Sequence, residues 1–288
     1  MMFFDFQTER NGPMKKAFRI LSLVLALATL FTLCACGRRR DTGYRVIGEL
    51  DQEEFRVAFR KDDPLCDIVT AAMEEIAAEG QLSRLCGQYL GVDYSCLPAI
   101  QGALEVLRMD IQPGRKLRIG VQDGIAPLCS VRDDGSYAGL IPDMTQLVAD
   151  KLGWEFEYMP INSENVAAEL GSGNIDMAWM AASFAGTEKT CSLSPGWLEN
   201  SHELVVRTAS KYTRKSSLKG RIIGVTDATS VDALRTAEML KTGEDDKKAG
   251  KKAGAIWYYD DMSTCFNALA AGDCDAVVID SIVANYYM

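Results

Sequence analysis

The chain has 288 residues, 48% of them hydrophobic and 25% charged, with a formal net charge of −9. That composition is ordinary for a globular chain, enough for two compact lobes and too little for many domains. The acidic balance excludes nucleic acid as a partner, because phosphate binding needs clustered Lys and Arg.

The first predicted element starts at Met14, where the chain reads MKKAFRILSLVLALATLFTLCACG. Lys15, Lys16 and Arg19 precede an apolar run from Ile20 to Ala35. Basic residues before an apolar core are the layout of a secretory signal peptide. The run is short for a membrane span, which needs about 20 apolar residues. Its end, LCAC, resembles a lipobox, which implies cleavage before Cys36 and a lipid on its thiol. Residues 1–35 are therefore expected to be a lipoprotein signal and 36–43 a short linker. Of nine cysteines, Cys34 leaves with the signal and Cys36 carries the lipid. The others are Cys66, Cys86, Cys96, Cys129, Cys191, Cys265 and Cys274. No CxxC pair is present, so neither a redox motif nor a zinc ribbon is supported, and buried thiols acting as small hydrophobes are expected.

Next come YRVIGEL (44–50) and FRVAFRKDD (55–63), then two helical stretches divided by Gly80. In the segment that follows, Leu97, Ile100, Leu104 and Leu107 stand at helical spacing and predict a further helix. From residue 115 onward, strand-like runs alternate with amphipathic helices. The strands are 117–121, 154–159, 175–180, 203–207, 221–225, 255–259 and 275–279. Met144, Leu147, Val148 and Leu152 share one helical face, which Gly153 ends. This alternation predicts mostly parallel α/β sheets.

Two passages echo each other, AAELGSGNIDMAWM (167–180) and ALAAGDCDAVVID (268–280). Each ends a helix near Gly, turns, sets an Asp and enters an apolar strand. Gly suits the left-handed end of a helix. The echo suggests two similar lobes. Residues 208–220 are polar and suit a crossover between lobes, and 242–254 are a charged surface loop.

RKLRIGVQDGIAPLC, GSGNIDMAWMAASFAGTEK, SLKGRIIGVTDATSVDALR and AAGDCDAVVIDSIVANYY resemble, in this order, the first three-quarters of the family-3 solute-binding proteins. These are the amino-acid-binding subunits of ABC importers. FRVAFRKDD and the helices up to QLSRLCGQYLG resemble the closing segment of that same family, yet they come first here. The order implies a circularly permuted, two-lobed periplasmic-binding-protein-like α/β fold of type II. Its parts are residues 44–54 in lobe 2 and 55–93 in lobe 1. Residues 94–114 form a permutation linker with an added helix, 115–208 the rest of lobe 1 and 209–288 the rest of lobe 2. The other readings of this order are a degenerate first copy followed by a truncated second one, or a misjoined gene.

The resemblance also implies a site. The fold holds its ligand in a cleft between lobes that close about hinge strands. Asp280 falls on the position that takes a ligand ammonium, or it caps the helix that follows. Thr229 and Ser230 fall on an anion-binding helix start, where Thr229 and Asp232 also suit a capping box. Ser183 matches a hydroxyl that accepts from the ammonium. Asp123 lies close to a cleft position or serves a turn. The family's carboxylate-gripping Arg is missing, and Lys189 is the nearest cation; a Lys cannot reproduce the planar fork. Trp179 and Phe184 could serve as aromatic platforms, with Trp179 also suited to the core.

The expected function is capture of a small polar solute, an amino acid or analogue, for an ABC permease with its ATPase. The protein would be an extracytoplasmic monomer, anchored to the cell membrane through the lipid on Cys36, with no metal and no cofactor. It is not expected to be an enzyme: His202 is the single histidine, and no HExxH, Walker loop or GxGxxG is present. A ligand-sensing or degenerate non-transport lipoprotein of the same fold is the alternative.

Overall fold

The computed structural model describes residues 43–107, 110–226, 228–240 and 253–288. The expected signal, Cys36 and most of the charged loop lie outside these residues. Among the described residues no helix is long and apolar enough to cross a membrane.

The chain enters through β1 (Tyr44–Glu49), β2 (Glu53–Phe55) and β3 (Val57–Arg60). Helix α1 (Leu65–Ala78) follows because Leu65, Ile68, Val69, Ala72, Met73 and Ile76 form one buried stripe. The Asp63 carboxylate accepts from the Leu65 N–H at its start (3.0 Å). Gly80, at φ 71°, separates it from α2 (Gln81–Leu90). Both helices pack on α3 (Leu140–Leu152), whose core face includes Met144, Val148 and Leu152.

In the segment after α2, the described helical turn is a short 3-10 turn, Ala103–Glu105, and not the α-helix that the apolar spacing predicts. Gly102 in the left-handed conformation (φ 76°) stops an α-helix from running through it. Leu97 still reaches the core, but Ile100 is left 45% exposed.

Strands β4 (Lys116–Val121), β7 (Glu155–Pro160), β8 (Met177–Trp179) and β9 (Cys191–Leu193) join β3 in one sheet, in the order β7-β4-β8-β3-β9. A small hairpin, β5 (Ser130–Val131) and β6 (Tyr137–Ala138), lies beside it in sequence. The second sheet has the order β1-β11-β14-β12-β13, with β11 (His202–Arg207), β12 (Ile222–Val225), β13 (Ala255–Tyr258) and β14 (Ala276–Asp280). Both sheets are mixed. Strands linked through helices pair in parallel, as β4 does with β7 and β12 with β13. β3, β9, β11 and β1 pair antiparallel to their neighbours. β3 comes from the N-terminal stretch and runs against both β8 and β9, which flank it and share one direction.

Strand β11 pairs with β1 and β14, and Leu204 and Val206 fill the core of the second lobe. The chain thus changes lobe before residue 202, earlier than the polar stretch 208–220 suggests. The crossing is β10 (Leu198–Asn200), antiparallel to β2. β2 carries the chain from β1 in lobe 2 to β3 in lobe 1, and β10 carries it from β9 back to β11. This strand pair is the hinge.

The sequence echo has a structural meaning. Helix α4 (Val166–Ser172) ends on Gly173 at φ 75°, and α6 (Met262–Ala271) ends on Gly272 at φ 89°. After each, an Asp joins the next parallel strand twice. The Asp176 N–H donates to the Arg118 carbonyl (2.8 Å) and its carboxylate accepts from the Arg118 N–H (2.8 Å). Asp275 repeats this with Ile222, at 2.8 and 3.0 Å. Asp275 also accepts from Tyr212 Oη (2.7 Å). Asp275→Ala strips acceptors from a backbone N–H and a phenol, so a loss of about 1–3 kcal/mol is expected in urea unfolding.

Seven cysteines, from Cys66 to Cys274, are free thiols, five of them buried. Burial pushes the Cys129 and Cys265 thiols up to about 12. Thiols this far from ionising are inert fillers.

One cross-strand pair is unfavourable. Glu203 on β11 stands opposite Glu49 on β1. Burial, and then the Glu49 charge, hold its carboxyl above the usual range. A carboxyl raised in the folded state costs stability once it ionises and costs nothing when protonated in both states. Glu203→Gln is therefore expected to raise the melting temperature at pH 7. The gain should fade as pH falls through the ordinary Glu range, which paired thermal melts would check.

Candidate functional site

The hinge forms the floor of a cleft of about 1400 Å³. Lobe 1 walls it with Lys61–Pro64, Cys66, Asp67, Ser183, Ala185, Glu188 and β9, and lobe 2 contributes Ser281. The hinge adds Glu53, Glu54, Arg56, Glu199, Asn200 and Ser201. The lining is strongly acidic: Glu53, Glu54, Asp62, Asp63, Asp67, Glu188 and Glu199 against Arg56 and Lys61. Both cations already have partners. Arg56 bridges to Glu54 (2.9 Å), and Lys61 Nζ donates to the Glu188 carbonyl (3.0 Å).

At the lobe 2 end of the hinge, five polar side chains meet. His202 opens β11, is only 3% exposed, and pairs in register with Asp280 at the end of β14. Its Nδ1 lies 2.8 Å from the Asp51 carboxylate. Its Nε2 faces Asp280 Oδ1 at 3.7 Å and Glu53 Oε1 at 3.9 Å. Asn200 Nδ2 donates to the same two oxygens, at 2.7 Å to Asp280 and 2.8 Å to Glu53. Asn200 Oδ1 accepts weakly from Ser281 Oγ and the Ile282 N–H, both at 3.4 Å. Burial pushes the His202 imidazole down, but the Asp280, Glu53 and Asp51 carboxylates together outweigh it, so its pKa stands above the ordinary value.

The sequence-expected residues fall in different places. Ser183 lines the cleft. Asp280 is the residue before α7 (Ser281–Tyr287) but its side chain makes no capping bond there; its carboxylate turns to Asn200 and His202. Asp123 is exposed and accepts from the Gly124 and Val131 N–H groups (2.6 and 3.0 Å), which closes a turn. Lys189 is exposed and is not part of the cleft wall. Thr229 and Ser230 lie in the first turn of α5 (Ala228–Thr236), and Ser230 is buried. Trp179 is fully buried and Phe184 is 7% exposed, so both belong to the core.

Sequence reasoning missed Asp51, Glu53 and Asn200, and left His202 without a role. Asp51 and Glu53 stand two apart, as do Asn200 and His202, but Asp51 precedes β2 and Asn200 and His202 belong to different strands, so the strand period of two marked no common face.

Comparison with known proteins bears on this architecture. Residues 117–249 match the family model of bacterial extracellular solute-binding proteins, family 3. An ancestral arginine-binding protein bound to arginine is 26% identical, with a TM-score of 0.51 over 61% of this chain and 74% of its own. An ABC uptake transporter substrate-binding protein from Streptococcus pneumoniae with bound histidine is also 26% identical, with a TM-score of 0.50 over 60% of this chain and 68% of its own. The virulence sensor protein BvgS of Bordetella bronchiseptica is 25% identical over 230 residues, 78% of this chain. The chain spans only 17% of the length of that sensor. Across residues 117–249 the chain thus carries the sequence signature of bacterial extracellular solute-binding proteins, family 3, on a two-lobed α/β fold with two mixed sheets.

Proposed function

We propose that this protein captures a small polar solute, an amino acid or analogue, in the cleft and delivers it to an ABC permease with its ATPase. The acidic cleft over a two-strand hinge carries this reading. Seven carboxylates face it against two cations that are already paired. Such a wall favours a ligand bearing a cationic side chain and disfavours an acidic one. Support comes also from the two solved relatives, which hold arginine and histidine. In this reading Ser183, Glu53 and Asn200 meet the solute, and Asp280 adds negative charge from behind Asn200. Lys189 on lobe 1 and the Thr229–Ser230 turn on lobe 2 reach the solute only as the lobes close. Asp123 keeps its loop shut. The protein acts outside the cytoplasm as a monomer, held to the membrane by a lipid on Cys36, and binding involves no chemical turnover.

The proposal includes a circular permutation. It is supported by β3 sitting between β8 and β9 while the family match begins only at residue 117. It is supported too by α1 and α2, which precede lobe 1 in the chain and pack on α3 inside it.

A sensory role is the second reading, favoured by the match to BvgS. Isothermal titration of the full chain separates capture from a degenerate site. Saturable binding of arginine, lysine or histidine, weakened about tenfold or more by Glu53→Gln, is expected, since a lost charged hydrogen bond is worth about 1.5–3 kcal/mol. Heat-silent titrations with every amino acid would sink the proposal. Binding by the protein alone, with no uptake defect in a deletion strain, would favour the sensor.

A further inference from the structure

The polar cluster at the lobe 2 end of the hinge is over-supplied with negative charge. Asp51, Glu53 and Asp280 surround a single imidazole. Among the described residues, the cationic group within ion-pair distance of Asp51 and Glu53 is His202 itself. Even with His202 protonated, Asp51 and Glu53 share that one positive charge, with side chains 25% and 14% exposed. Partly buried charges left without partners are costly.

The geometry of the ring adds a second observation. Nδ1 is held by Asp51, which fixes its proton on that side, so Nε2 is the nitrogen open to a metal. Nε2 makes no hydrogen bond among the described residues. It points between Glu53 Oε1 and Asp280 Oδ1, beyond hydrogen-bond distance of either, at 3.9 and 3.7 Å. Donor atoms of the three residues all lie within 4.8 Å of one another. A tetrahedral zinc site with bonds of about 2.0–2.2 Å has ligand–ligand edges of about 3.3–3.6 Å. Two observed edges thus need only a few tenths of an ångström of contraction.

We propose that Glu53, His202 and Asp280 bind one first-row divalent cation of the zinc class, with Asp51 orienting His202 and Asn200 orienting both carboxylates. One imidazole nitrogen and two carboxylate oxygens suit a borderline ion such as Zn²⁺ better than a hard ion that keeps its water shell, such as Mg²⁺. Glu53, Asn200 and Ser281 line the cleft, which gives the ion its way in. The ion ties β2 of the hinge to β11 and β14 of lobe 2, so it stiffens the hinge at one end. The inference goes beyond solute capture and stands whether or not an amino acid binds.

The test uses the full chain, purified in detergent, stripped with a chelator and titrated with Zn²⁺ and with Co²⁺. One equivalent of each is expected to bind, with Mg²⁺ failing to compete. The Co²⁺ spectrum should lack the near-ultraviolet sulfur-to-cobalt band that would betray the free cysteines. Glu53→Gln and His202→Gln should each weaken Zn²⁺ binding by more than tenfold. Asp51→Asn, which touches no metal, should weaken it about tenfold, since outer partners of a metal-bound histidine are typically worth 10–100-fold. Glu53→Gln is nearly isosteric and keeps the test valid if the His202 variant fails to fold. Lack of saturable binding, a thiolate band, or an affinity unmoved by Glu53→Gln would overturn the site. Amino-acid titrations in excess chelator, run in parallel, keep the solute reading separate.

Discussion

Replacing Trp179 by alanine is expected to lower the unfolding free energy by about 3–5 kcal/mol, the range for a large aromatic removed from a core. Trp179 ends β8, is 0% exposed, and pairs with Val57 across the sheet. Its ring meets Trp197 edge-on, with centroids 5.6 Å apart. Trp197 comes just before β10 and its N–H donates to the Phe55 carbonyl (2.9 Å). The two indoles therefore lock the lobe 1 sheet to both hinge strands. Neither indole N–H has a hydrogen-bond partner among the described residues. Trp179→Phe keeps most of the volume and gives up an N–H that bonds nothing. It should cost less than about 1.5 kcal/mol. Urea unfolding of the two variants checks both figures; similar losses for Phe and Ala would show that the indole N–H matters after all.

The second large effect is expected at Asn200. Asn200→Leu keeps the size and removes the amide that separates Glu53 from Asp280. Two carboxylates then face each other without a donor between them, and the start of α7 loses the Asn200 Oδ1 contacts to Ser281 and Ile282. A loss of about 2–4 kcal/mol is expected, as for other partly buried polar networks broken on one side. Adding Glu53→Gln should restore part of it, because the repulsion needs both charges. A coupling of about 0.5–3 kcal/mol in the double-mutant cycle is the signature. Purely additive losses would mean that Asn200 serves packing alone.

The fold was largely legible where local physics decides it. The stripe through Met144, Val148 and Leu152 and the glycine at 153 mark α3 and its end. The echo around Asp176 and Asp275 is legible because the same chain turn solves the same problem twice, which is to satisfy a backbone N–H of a neighbouring parallel strand. Spacing misled at Leu97–Leu107, since it carries no information about the left-handed Gly102. The sheets came out mixed because β1, β3 and β11 run against their neighbours, and hydrophobic runs look alike in either direction.

The site was far less legible. Ser183 reaches the cleft, but the hinge cluster draws on three separated stretches, around residues 51–53, 200–202 and 280, brought together by the β2–β10, β11–β14 and β1–β11 pairings. Such a cluster exists only once the register is set. His202 gave no motif because its partners stand on other strands.

The most direct test of solute capture is a thermal-shift panel on the full chain, with basic, neutral and acidic amino acids, amines and short peptides, in chelator. A ligand at 100 times its dissociation constant adds about 2.7 kcal/mol to stability. A cooperative melt is expected, raised by arginine, lysine or histidine and not by glutamate or aspartate. A cooperative melt that none of these solutes moves would contradict it.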